Sequence, residues 1–328
     1  MTRQTCVVML VAALVTALAG VSGAGAQTYP SRPITMNVPF APGGPLDTVA
    51  RVLAVRMRAS LGQSVIIENV GGAGGSLGVG RVARAAPDGY TIGAGNWATH
   101  VAIGAIYALP FDLINDLVPV IALPSEPNLI VARKNFPADN LRELIAWLRN
   151  NPDKAMAGTS GVGGPSYMAA LFFQKETGTR FQLLPYRGIS LAMQDLLAGQ
   201  IDLISTGPSV LLSLLADRAI KAYAVTAKAR LASAPDVPSV DEVGLPGLYI
   251  SVWHGLWAPK ATPPAIVARL NEAAKGALAD PVTRAKLAKL GQEIPPVEQQ
   301  TPQALAAYQK AEIEKWWPIV KAAGIKPE

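Results

Sequence analysis

The chain has 328 residues, half of them apolar, and a net charge of +6 from scattered Lys and Arg, with few aromatics. That length and that apolar content suffice for two domains with separate cores, and the lack of a basic stripe interleaved with aromatics excludes a nucleic-acid reader. The single cysteine, Cys6, and two histidines far apart, His100 and His254, exclude a disulfide framework and a cysteine nucleophile, and they match no metal-ligand spacing. The histidines are read as structural or surface residues, and no metal or cofactor is expected.

At the N-terminus, Arg3 precedes an uncharged apolar run over residues 7–18, then small residues ending Ala24-Gly25-Ala26. This is the pattern of a signal peptide over residues 1–26, with the mature chain starting near Gln27 and a periplasmic destination. A retained anchor is the alternative, but the run is shorter than the ~20 apolar residues of a spanning helix. Cys6 lies inside this leader and lacks the sequence context of a lipid-attachment site.

Beyond it, short β-branched runs at 34–38, 65–67, 201–204 and 222–226 alternate with segments of helical period. One such segment carries Leu46, Val49, Leu53 and Met57 on one face. A second carries Leu141, Leu144, Ile145 and Leu148, opened by an Asn140/Glu143 capping box and stopped at Asn151-Pro152. Gly199 closes the helix of Met193, Leu196 and Leu197. This alternation predicts α/β lobes with mostly parallel sheets flanked by helices. Two stretches read as crossings between lobes, one around Pro124-Ser125-Glu126-Pro127 and the other over 246–259. They divide the chain into one lobe of residues 27–124 plus 247–328 and another of residues 125–246. Two crossings let a cleft open and close. The last helix, with Leu305, Tyr308, Ile313, Trp316 and Val320, reads as packing.

The most informative feature occurs twice. A strand runs into Pro39-Phe40-Ala41-Pro42-Gly43-Gly44-Pro45 before a helix, and another runs into Thr159-Ser160-Gly161-Val162-Gly163-Gly164-Pro165 before a second helix. Proline suits the first helical position, where its missing N–H would have no partner anyway. The glycines let a ligand approach the main chain, and the free amides of a helix start attract anions. One such loop alone is as well explained as a tight strand-to-helix turn. The pair, one per lobe, predicts a grip on a carboxylate from both sides. Asp47, in the first turn of the first helix, either complements the helix dipole, orients the loop amides, or meets a ligand donor.

Other glycine motifs fail. In the 71–78 stretch, Leu77 stands where the third glycine of a dinucleotide fingerprint would fall. Around Ser160 the second glycine of a nucleophile elbow is missing, and no base pairs with that serine. The residues therefore predict a binding protein and not an enzyme.

The ordered set Tyr29-Pro30-Ser31-Arg32-Pro33-Ile34, Pro39-Phe40 with Pro42-Gly43-Gly44 and Asp47, Glu68-Asn69 through Gly78, Ala86-Pro87-Asp88-Gly89-Tyr90-Thr91 and Pro185-Tyr186-Arg187-Gly188 resembles one family. The series continues through Asp195 to Asp202, Asp236-Val237-Pro238-Ser239 with Glu242 and Gly244, Gly255 to Pro259, and Ala323 to Lys326. That family is the substrate-binding components of tripartite tricarboxylate transporters, the Bug receptors. The resemblance implies a two-lobed periplasmic-binding-protein fold that closes on a small carboxylate. It implies delivery to large and small membrane permease subunits, with a monomer expected. It also implies a pocket built from Phe40, Ala41, Gly43, Gly44, Asp47, Asn96, Thr99, Thr159, Gly163, Gly164, Ser166, Tyr186, Gly207 and Pro208. The sequence departs from the common pattern at Gly164, Tyr167 and Pro45, where serine, histidine and a small or polar residue are usual. Fewer polar donors, with Trp97 beside the pocket, point to a less polar ligand such as an aromatic acid. A ligand-sensing receptor and an exported α/β hydrolase are the alternatives.

Overall fold

The computed structural model describes residues 29–327, so the leader and Cys6 lie outside the described residues. The first strand, β1 (Ile34–Val38), feeds α1 (Pro45–Leu61), then β2 (Val65–Asn69), α2 (Ser76–Ala83) and β3 (Thr91–Asn96). β1 pairs in parallel with both β2 and β3. The face of α1 expected from its periodicity is the buried one: Leu46, Val49, Leu53 and Met57 pack on the sheet.

β4 (Leu117–Pro127) runs along the same sheet, and one residue later the chain enters a second sheet as β5 (Leu129–Arg133). There follow α3 (Leu141–Asn150), β6 (Met156–Thr159), α4 (Pro165–Thr177), β7 (Gln182–Pro185), α5 (Ile189–Leu197), β8 (Leu203–Thr206) and β9 (Ile220–Val225). Asn140 caps α3 by accepting the Glu143 N–H, and Gly199 ends the α5 segment in the left-handed conformation at φ 74°. The chain returns to the first sheet as β10 (Ser251–Pro259) and closes with α6 (Pro264–Ala279), α7 (Pro281–Lys289) and α8 (Pro302–Ala322).

Each sheet has five strands, in the orders β2-β1-β3-β10-β4 and β7-β6-β8-β5-β9. Both sheets are mixed. The β-α-β halves are parallel as expected, whereas the strands at the crossings, β4, β5 and β10, make only antiparallel pairs. Their direction follows from connectivity: a strand that leaves one sheet and enters the other without a helical crossover cannot align with the parallel set.

The crossings are tied together by backbone and by the Thr226 hydroxyl. Asn128 N–H donates to Thr226 Oγ1 at 2.9 Å, and Thr226 Oγ1 donates to the Ile250 carbonyl at 2.8 Å. Thr226 N–H reaches the Asn128 carbonyl, and Ile250 N–H the Thr226 carbonyl. α8 packs back on the first lobe. Its buried Gln309 accepts from Trp257 Nε1 and donates to the His100 carbonyl, so this amide joins three segments distant in sequence. Among the described residues, no helix is long and apolar enough to cross a membrane.

Candidate functional site

Both glycine loops adopt one conformation. Gly43 and Gly163 take φ 82° and 75°. Gly44 and Gly164, the N-caps of α1 and α4, are extended at φ/ψ of −80°/171° and −67°/166°. Pro45 and Pro165 then occupy the first helical positions. The sequence duplication is thus a structural one, and each loop lies at the carboxyl end of a parallel strand, the edge where open α/β sheets bind ligands. Gly164 admits no side chain, since a Cβ there would lie 2.5 Å from the Ser160 carbonyl oxygen.

Between the lobes lies a cleft of about 460 Å³ lined by both loops. From the first sheet and its helices come Phe40, Gly44, Leu46, Asp47, Asn96 and His254, and from the second come Ser160, Ser166, Ile189, Thr206 and Gly207. Glu126 and Asn128, at the crossing, complete one wall. No Lys or Arg is among the lining residues, so any anion held here relies on helix-start amides and neutral donors.

Supporting bonds fix the loops. Asp47 Oδ2 accepts from Gly43 N–H at 2.9 Å and Arg51 Nε at 2.8 Å, while Oδ1 accepts from Asn69 Nδ2 at 2.9 Å. Burial alone would raise the Asp47 carboxyl, but the bonds from Arg51, Gly43 and Asn69, with the Arg51 charge, hold it below the usual range. Ser166 Oγ accepts the Ser160 N–H at 2.7 Å and donates to Ser160 Oγ at 2.9 Å. Asn96 and Thr99 bond each other, Thr99 N–H to Asn96 Oδ1 at 3.1 Å.

Of the residues expected in the pocket, Phe40, Gly44, Asp47, Asn96, Ser166 and Gly207 line the cleft. The others stand behind this layer or at the mouth. Ala41 N–H donates to the Arg187 carbonyl of the opposite lobe at 3.2 Å. Gly43 bonds Asp47, Thr99 braces Asn96, and Thr159 Oγ1 donates to the Leu184 carbonyl. Gly163 packs on Ile106, Pro208 on Gly291, and the Tyr186 hydroxyl donates to Asp195 at 2.5 Å. Trp97 does not line this cleft. It stacks edge-on against Trp316, and with Phe172 and Tyr249 it lines a separate groove of about 430 Å³ near the crossing. Tyr167 is likewise outside the lining, which leaves Phe40 as its one aromatic side chain. The aromatic wall expected from the sequence is not built in this cleft.

Sequence reasoning missed Glu126, Asn128 and His254. Glu126 reads as part of a proline-rich crossing, and His254 as an isolated histidine. Both are about 1% exposed. They meet because β4 carries an extra residue, Pro124, opposite the Trp253–His254 step of β10, and such a bulge re-aims the side chains beside it. Pro124 was the available signal, since a proline that cannot donate to the ladder marks a bulge.

A profile of the tripartite tricarboxylate transporter family receptor matches residues 49–325. A protein encoded in the TAR-I ttuE-ttuC' intergenic region of Agrobacterium vitis is 41% identical over 91% of this chain and 86% of its own length. The structure of the periplasmic binding protein BugD superposes with a TM-score of 0.87 at 37% identity, covering 91% of this chain and 99% of BugD. MatC from Rhodopseudomonas palustris with bound malate superposes at 0.85 with 38% identity, covering 89% of this chain and all (100%) of MatC.

Proposed function

The chain belongs to the tripartite tricarboxylate transporter receptor family, and from that premise we propose how its cleft works. It captures a small carboxylate between two lobes and presents the closed complex to the permease subunits of a membrane transporter. The observation that carries this reading is the pair of glycine loops with matching dihedrals, one per lobe, on a cleft without basic side chains. A helix start offers amides without intrahelical acceptors and a positive dipole end. Two of them, brought together by closure, replace the water shell of a carboxylate with N–H groups already in place.

The lobes are assigned as residues 27–124 with 247–328, and residues 125–246. These boundaries sit near Asn128 and Ile250, where the chain changes sheet. The ligand contacts are assigned to the loops at Gly43-Gly44 and Gly163-Gly164 with Asn96, Ser160 and Ser166. Closure of two lobes on one ligand requires a single copy of the chain, and we assign a monomer. The protein works in the periplasm after a leader ending at Ala26 is removed, so N-terminal sequencing of the exported protein is expected to begin at Gln27.

The direct test is calorimetry and thermal shift with small carboxylates, their amides and their esters. A carboxylate is expected to raise Tm, since a ligand that binds only the folded state stabilises it by about 2.7 kcal/mol at a hundred times its Kd. The amide and ester are expected to do nothing. Equal shifts from an acid and its amide would exclude carboxylate recognition.

A further inference from the structure

Beyond the helix starts, the cleft holds polar side chains that carboxylate capture leaves unused. Glu126 on β4 and His254 on β10 are both buried, with His254 Nε2 at 3.9 Å from Glu126 Oε1. Neither ring nitrogen of His254 has a hydrogen-bond partner, nor has Asn128 Oδ1. Glu126 Oε2 takes the Gln292 side-chain amide and, at 3.4 Å, Ser209 Oγ.

This arrangement is specific to the local backbone. A Cβ on Gly207 would lie 2.1 Å from the Glu126 carboxyl group, so the absence of a side chain there makes room for the acid. The bulge at Pro124 sets the register that brings Glu126 and His254 into one cavity.

None of the groups facing Glu126 supplies a cation for a second anion. Burial pushes the Glu126 carboxyl up to about 8 and the His254 imidazole down to about 3, so near neutral pH neither supplies a positive charge. The groups facing Glu126 are His254 from β10, Gln292 from the segment after α7, Ser209 from the turn after β8, and Asn128 at the crossing. The other acid in the lining, Asp47, is already answered by Arg51. Asn128 Oδ1 and one nitrogen of neutral His254 are acceptors without partners, and Glu126 becomes a purely accepting group only when it ionises. A second carboxylate would leave those two acceptors unanswered and would hold Glu126 protonated. A protonated amine would bring three donors and a charge that favours the ionised form of the buried acid.

We propose that Glu126, with His254 and Asn128, forms a subsite for a protonated amine, so that this receptor takes an amino monocarboxylate in preference to a dicarboxylate. The inference rests on the carboxylate reading for the other end of the ligand, which lies on the starts of α1 and α4. As the ammonium arrives, Glu126 gives its proton to solvent and remains as the counter-charge. His254 stays neutral and accepts from the ammonium.

The test compares two series of matched length by calorimetry on the mature chain: glycine, β-alanine, γ-aminobutyrate and δ-aminovalerate against malonate, succinate, glutarate and adipate. At least one amino acid is expected to bind about tenfold or more tightly than its dicarboxylate partner, the scale of a charged hydrogen bond. Its binding is expected to release protons near neutrality and to strengthen as pH rises toward about 8. Glu126→Gln is expected to abolish the proton release and the preference, so that no amino acid binds more tightly than its dicarboxylate partner. Gly207→Ala, which displaces the acid without removing it, serves as a second variant and is expected to lose the preference as well. Dicarboxylates favoured by the wild type, or a preference and pH slope that survive Glu126→Gln, would overturn the subsite alone. Equal loss for both series in the variants would also overturn it, since that marks a packing role. No binding by any acid would remove the carboxylate reading, and the subsite with it.

Discussion

At the scale of single residues, the buried ionisable groups connect pH to stability with signs that can be worked out. His100 and His254 are held neutral by burial, at about 3 against the ordinary 6.5. The unfolded chain therefore binds protons first as pH falls. Their contribution is complete above about 6.5 and is lost progressively below it, each by about 1.4 kcal/mol per pH unit. Glu126 acts in the opposite direction. Its carboxyl is raised from 4.5 to about 8 by burial, so the contribution is complete below about 4.5 and is lost as pH rises to about 8. Glu126→Gln is accordingly expected to raise the ligand-free Tm at about pH 8 and to change it little at about pH 4.5, measured by calorimetric melting across pH. A Tm difference that does not vary with pH would show that Glu126 is ionised in the folded protein. These groups were not legible in the sequence. Pro124 hints at a bulge, but nothing local ties Glu126 to a solitary histidine, and their meeting depends on the antiparallel register of β4 and β10. Asp47 was legible in position and in its i,i+4 partner Arg51 on α1, but its bond to Asn69 at the end of β2 forms only in the fold. Asp47→Ala removes the acceptor of the Gly43 N–H and is expected to weaken ligand binding by about tenfold, read as Kd. A variant that binds normally would show that the loop holds its shape without the carboxylate.

Elements were read more surely, because their signals are local. The faces of α1 and α3, the Asn140 cap and the glycine closing α5 all follow from spacing and from the chemistry of helix ends. The repeated Gly-Gly-Pro was visible as letters, and its shared dihedrals follow from what glycine permits and proline requires. Less legible was the direction of the crossing strands. β10 begins at Ser251 inside a longer apolar stretch that starts at Tyr249, and nothing local says that it runs against β3. The second loop offers a clean test of element geometry. Gly163 has φ 75°, and a Cβ there would lie 2.6 Å from the Ile106 side chain. Gly163→Ala is expected to destabilise the fold by about 1–2 kcal/mol and to weaken ligand binding, measured by denaturant unfolding and calorimetry. Unchanged values of both would mean that the loop can relax to another turn.

For the whole molecule, the two-lobe division was legible because β-α alternation is interrupted at only two proline-marked places. The atoms that tie the crossings together were not, since Asn128, Thr226 and Ile250 are far apart in the chain and ordinary in type. Thr226→Val keeps the shape but deletes the hydroxyl that joins the three crossing segments. It is expected to widen the spread of lobe separations in solution scattering and to lower Tm by several degrees, as a loss of about 1–2 kcal/mol would. Scattering identical to that of the parent would place control of closure elsewhere. Across the cleft mouth, the lobes meet on peptide carbonyls. Ala41 N–H reaches the Arg187 carbonyl, Ser190 Oγ the Pro42 carbonyl and Tyr107 Oη the Val162 carbonyl. In each of these three bonds the acceptor is a peptide carbonyl, which nearly any residue can supply. The shutter thus asks of the sequence little beyond two hydroxyls, while the choice of cargo is written in a few side chains at the far wall. A lineage built this way can change its diet by substituting the wall without relearning how to shut, and a designer seeking a new sensor can do the same.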